Sequence, residues 1–127
     1  MKAIVQTGYG SPDVFQLREI EKPVIDDDGV LLRVHAASVN ALDWHLMRGI
    51  PSIIRLTTGL RRPKSPVPGV DAAGTVESVG RNVTRFRPGD EVFGMRTGAF
   101  AEYVAGKERN FVAKPVGLSF EQAAAVP

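Results

Sequence analysis

A chain of 127 residues, 43% hydrophobic and 24% charged, carries enough apolar material for one buried core and reads as a single globular domain. Its formal net charge of +2 is too small to argue for nucleic acid or an anionic membrane surface as a partner. With no cysteine, a disulfide framework and a thiolate zinc site are both excluded.

The chain opens MKAIVQTGYG, without the apolar run of a secretory leader, and no later segment reaches the length of a membrane span. A cytoplasmic protein is therefore expected. Residues 2–6 and 14–20 read as short strands, with Phe15 and Leu17 alternating against Gln16 and Arg18. GYGSPD between them is a loop. Gly8 and Gly10 do not begin a dinucleotide fingerprint, because Pro12 and Asp13 stand where a helix with a third glycine would start. EKPVIDDDG reads as a solvated turn. Residues 29–39 form the clearest strand, with Leu32, Val34 and Ala36 on one face and Arg33 and His35 on the other. That pattern makes His35 a half-exposed strand residue rather than a ligand.

VNALDWHLMRG changes to helical spacing. Asn40 suits an N-cap, and Asp43 follows three residues later, near the positive end of the helix dipole. Leu42 and Leu46 lie four apart, and Gly49 with Pro51 ends the turn. On residue chemistry alone, Asn40 and Asp43 are equally readable as a cap and as polar groups for a ligand. Residues 51–59 are expected to form a second short helix, Pro51 starting it and Gly59 stopping it. LRRPKSPVPG then reads as a surface loop, with Arg61, Arg62 and Lys64 solvated.

Glycines recur at 69, 74, 80, 89 and 94. Between them Val70, Ala72, Gly74, Val76 and Ser78 share one face of an extended strand, and Asp71, Thr75 and Glu77 the other. A face of small residues lets a second backbone approach closely, as a tight barrel requires. RPGD supplies a turn, and GAFAEYVAG and NFVAKP read as further strands. LSFEQAAAVP begins a helix in which Ser119 caps and Gln122 completes a capping box.

The string GVDAAGTVESVGRNVTRFRPGDEVFG resembles the signature of the medium-chain dehydrogenase/reductase superfamily. VLLRVHAASVNALDWHLMRG, GAFAEYV and LSFEQAAAVP are similar to blocks of its zinc-independent quinone oxidoreductase and enone reductase branch, so the resemblance covers essentially the whole chain. It implies a mainly β fold, the GroES-like distorted and partly open β-barrel with a few short helices. Residues 1–115 would be this catalytic domain, and residues 116–127 would begin the connection to a Rossmann domain not contained in residues 1–127. In zinc-dependent members a cysteine ligand occupies the position matched by Asn40, and a His-Glu pair matches Val70 and Asp71. His35, His45 and Asp71 do not stand at matched ligand positions, so no zinc is expected.

The resemblance further implies an NADPH- or NADH-dependent oxidoreductase, reducing a quinone or an α,β-unsaturated carbonyl compound by hydride transfer. Asn40 and Asp43 would form the floor of the cleft and touch the nicotinamide cofactor. Trp44, His45 and Arg48 would border it, with His45 and Arg48 as further candidate catalytic residues. The full enzyme would be a homodimer. The chain alone is expected to be inactive, with bare apolar surface that includes AAAVP. A competing reading is a stand-alone GroES-like binding or co-chaperone module, for which SIIRLTTGL is the one candidate mobile loop.

Overall fold

Seven strands in two antiparallel sheets make up the scaffold of the computed structural model, which describes residues 1–49 and 66–127. The helix expected over 51–59 lies outside the described residues, as does the basic part of the loop after it. In the small sheet β1 (Lys2–Gln6) pairs with β2 (Phe15–Glu19). The large sheet runs in the order β6, β3, β4, β5, β7. Its strands are β3 (Gly29–Ser38), β4 (Asp71–Val79), β5 (Glu91–Met95), β6 (Tyr103–Lys107) and β7 (Phe111–Ala113). An isolated bridge between Ala3 and Ala101 ties the two sheets, and among the described residues they do not close into a barrel. The expected mainly β, partly open architecture is thus the observed one.

The core is the shared apolar face of the long strands. Val30, Leu32, Ala72, Val76, Val92, Val104 and Phe111 cluster there with Phe86 and Ala99. At the centre the small residues of β4 have the effect their pattern suggests. A Cβ on Gly74 would stand 2.0 Å from the carbonyl oxygen of Arg33, so β3 and β4 can lie this close only with glycine at that position.

Two short α-helices and two 3-10 turns, Pro12–Val14 and Glu108–Asn110, complete the described structure. The first, α1 (Ala41–Arg48), follows β3 almost directly. It stops at Gly49, whose φ of 66° is the left-handed conformation that glycine adopts without a Cβ clash. The second, α2 (Phe120–Ala124), starts at Ser119 with both bonds of the expected capping box. It lies on β3, β4 and β5, and Ala123 and Ala124 are buried against Ala73. The expectation of bare apolar surface in AAAVP therefore holds only for Ala125, Val126 and Pro127; the two preceding alanines are covered. No helix among the described residues is long and apolar enough to cross a membrane.

Candidate functional site

The site is built where β3 runs into α1, beside the first residue of β4. Asn40 keeps extended backbone angles, φ −132° and ψ 179°, so the helix begins abruptly at Ala41. Its side-chain Oδ1 accepts from the backbone N–H of Leu42 at 2.8 Å and of Asp43 at 3.3 Å. Asp43 reaches back, its Oδ2 accepting from the Asn40 N–H at 2.9 Å. This is the reciprocal cap that satisfies orphan donors at a helix start. The capping reading of both residues is therefore correct as far as these atoms go.

Other atoms of the same residues are not used by the cap. Asn40 Nδ2 donates to Oδ2 of Asp71 in a charge-assisted hydrogen bond. The second Nδ2 hydrogen has no partner among the described residues. Asp43 is 6% exposed and Asp71 1%, and the Oδ1 atom of each is buried with no hydrogen-bond partner among the described residues. A buried carboxylate oxygen without a donor is costly and uncommon. Such atoms are places where a ligand's own donors would be welcome.

Burial raises the Asp43 carboxyl above its ordinary pKa of 3.8; the Asn40 N–H opposes this, and the neighbouring Asp71 charge reinforces it. The rest of the helix is fixed from its far end. Gln6, buried at the end of β1, donates from Nε2 to the carbonyls of Met47 at 3.1 Å and Leu46 at 3.3 Å. The Gly10 N–H adds a bond to the Met47 carbonyl. Along α1 the Trp44 indole lies edge-on to the His45 ring at 5.1 Å, and the Arg48 guanidinium stands 5.9 Å from the Trp44 ring centre. Trp44 is 46% exposed, so it is a wall facing solvent rather than core; His45 and Arg48 are half-buried. The predicted residues thus fall into two groups on one helix, Asn40 with Asp43 at its start and Trp44, His45 and Arg48 beyond.

Sequence reasoning missed Asp71 as a member of the site. Alternation assigns it to the face opposite Val70 and Ala72, a face that is solvated in most antiparallel sheets. Here α2 covers that face and Ser38 pairs directly across from Asp71. The one available signal was an acid followed directly by the small residues Ala72, Ala73 and Gly74. Among the described residues, no three His, Cys, Asp or Glu side chains are grouped so that they could hold a metal ion.

The model of the alcohol dehydrogenase GroES-like domain matches residues 26–116. The chain belongs to this family. A human quinone oxidoreductase is 36% identical over 130 residues, covering 99% of this chain and 37% of the human protein. A tomato 2-methylene-furan-3-one reductase is 38% identical over 138 residues, covering the whole of this chain and 34% of its own. The crystal structure of Escherichia coli quinone oxidoreductase complexed with NADPH superposes with a TM-score of 0.85 at 26% identity, over 99% of this chain and 37% of that one. This GroES-like domain therefore has oxidoreductases of the medium-chain dehydrogenase/reductase superfamily as its relatives, as its signature implied, and spans little more than a third of their length.

Proposed function

We propose that this chain is the substrate-side domain of an NAD(P)H-dependent, zinc-independent oxidoreductase that reduces quinones or other conjugated carbonyl compounds. Residues 1–115 form that domain, and 116–127 begin the connection to a dinucleotide-binding Rossmann domain. The observation that carries the reading is the set of polar atoms remaining after α1 is capped: one N–H of Asn40 and the unpartnered Oδ1 atoms of Asp43 and Asp71. An aimed amide N–H can polarise a carbonyl oxygen or bind a ribose oxygen, and a carboxylate can accept from a ribose hydroxyl or a carboxamide. These atoms fit a nicotinamide nucleoside, and the relatives' names point to the same chemistry.

The bound cofactor supplies the hydride. Asn40 donates to the oxygen on which negative charge grows as the conjugated carbonyl is reduced. Asp43 holds α1 in place through the cap and offers Oδ1 to a donor of the ligand. Trp44, His45 and Arg48 line the approach, and water excluded from the floor strengthens both polar contacts. A metal-free site suits the residues at the positions matching zinc ligands, since Val70 is buried and apolar and the Asn40 oxygen is committed to the helix.

The test is kinetic, in the enzyme that joins this chain to its dinucleotide-binding half. Asn40→Ala and Asp43→Ala are each expected to lower kcat/KM roughly tenfold to a thousandfold. A loss of about 1 kcal/mol of stability with unchanged kinetics would reduce both residues to caps and overturn the reading.

A further inference from the structure

We propose that Asp71 is the positioning residue of this site, holding the Asn40 amide in the one orientation that leaves an N–H aimed at a ligand. The proposal rests on the reading of Asn40 as a ligand contact and extends it to a residue 31 positions away in the chain.

A side-chain amide can sit in its place in two senses, related by exchange of Oδ1 and Nδ2. At Asn40 both ends select the same one. Two backbone donors, Leu42 N–H and Asp43 N–H, face Oδ1. An acceptor that can only receive, the Asp71 carboxylate, faces Nδ2. The opposite sense would place oxygen against oxygen at one end and N–H groups against N–H groups at the other. The helix cap alone would leave Nδ2 free to swing about the side-chain torsions. Once Asp71 takes one of the two hydrogens, the planarity of the amide fixes the direction of the second.

Asp71 is itself held rigidly. It begins β4 opposite Ser38 of β3, and the Ser38 hydroxyl lies 3.2 Å from its Oδ2 and 2.8 Å from the Ala124 carbonyl of α2. It is 1% exposed and has no ion-pair partner among the described residues. A buried carboxylate without a cation is an expensive way to fill space. Its use here is to give the Asn40 amide an acceptor stronger than any neutral side chain could.

The experiment has two readouts. In the 127-residue chain, the Asn40 side-chain amide is observed by nitrogen–proton NMR. The proton facing Asp71 should be shifted downfield and exchange slowly with water. Asp71→Ala should move it to the position of a free amide while the Leu42 and Asp43 backbone N–H signals stay in place. Asp71→Asn, which keeps the shape and an acceptor oxygen, should give a smaller shift in the same direction, and it carries the test if the alanine variant does not fold.

In the two-domain enzyme, with NADPH and a 1,4-naphthoquinone, Asp71→Ala should lower kcat roughly tenfold to a hundredfold, the scale of a misplaced contact. KM for the quinone should change little, and Asp71→Asn should recover much of the loss. An Asn40 amide signal indifferent to both substitutions overturns the proposal. So does an unchanged kcat in Asp71→Ala when Asn40→Ala is impaired. If the amide signal moves but neither Asn40→Ala nor Asp71→Ala alters kcat, the functional reading of Asn40 fails while the contact itself stands.

Discussion

Asn40→Asp separates a capping residue from an aimed donor, because the two roles predict opposite outcomes. Aspartate caps helices as well as asparagine does and gains about 0.3–1 kcal/mol from the helix dipole. The acceptors for Leu42 N–H and Asp43 N–H survive the change. A residue that only caps should therefore tolerate it. The bond from Nδ2 to Asp71 Oδ2 would instead become oxygen facing carboxylate oxygen. Two unit charges at about 3 Å in an effective dielectric near 20 repel by roughly 5 kcal/mol. Protonating the introduced carboxyl is cheaper, at about 1.4 kcal/mol for each pH unit above its ordinary value near 3.9. The cost is thereby limited to about 4 kcal/mol at pH 7 and about 1.5 kcal/mol at pH 5.

At about 3–5 °C per kcal/mol for a domain of this size, Tm should fall by roughly 12–20 °C at pH 7, and by about a third as much at pH 5. Thermal melts of parent and variant at the two pH values measure both numbers. A variant melting within about 2 °C of the parent at pH 7 would refute the Asn40–Asp71 contact and the site built on it, since such a shift is under about 1 kcal/mol.

Gly74→Ala places its Cβ 2.0 Å from the Arg33 carbonyl oxygen and 3.1 Å from Val34 Cα. Both neighbours are backbone, so β3 and β4 must part, and a loss of about 2 kcal/mol or more is expected in chemical denaturation; a neutral result would show that the strands separate freely. Asp43 has its carboxyl raised above 3.8, by burial first, so the folded state holds the proton more tightly than the unfolded chain. Its contribution is then most favourable below the ordinary value and is lost as pH rises through the raised one. Asp43→Asn, which keeps an oxygen for the Asn40 N–H, should gain stability relative to the parent across that window and level off above it; a pH-independent difference would contradict the assignment. Elemental analysis of protein purified without a metal-affinity tag should find no stoichiometric zinc, and zinc that survives a mild chelator would overturn the metal-free reading.

What could be read from the residues alone was everything decided over a few neighbours. The alternation of Leu32 with Val34, the cap at Asn40 with Asp43, the stop at Gly49 and the box of Ser119 with Gln122 are local arrangements, and each is present. Ala36, expected on the face of Leu32 and Val34, packs instead with Ala73 and Phe120, because the β3–β4 register shifts between Val34 and Ala36. The small-residue face of β4 was legible for the same reason, since only a close backbone neighbour calls for such a pattern. The family, too, was legible, through the resemblance of GVDAAGTVESVGRNVTRFRPGDEVFG and its flanking blocks to a known signature. Tertiary structure decided which of these local features meet. His35 is an exposed strand residue, as alternation suggests, and the tertiary structure adds Phe120 of α2, on which its ring stacks at 4.3 Å. The same helix buries Ala123 and Ala124 and covers a sheet face that alternation would leave to water. Asp71 became part of the site through strand register, which brought it opposite Ser38 and within a hydrogen bond of Asn40. Pairing of that kind depends on how the sheet brings together residues 31 positions apart, and no local periodicity encodes it.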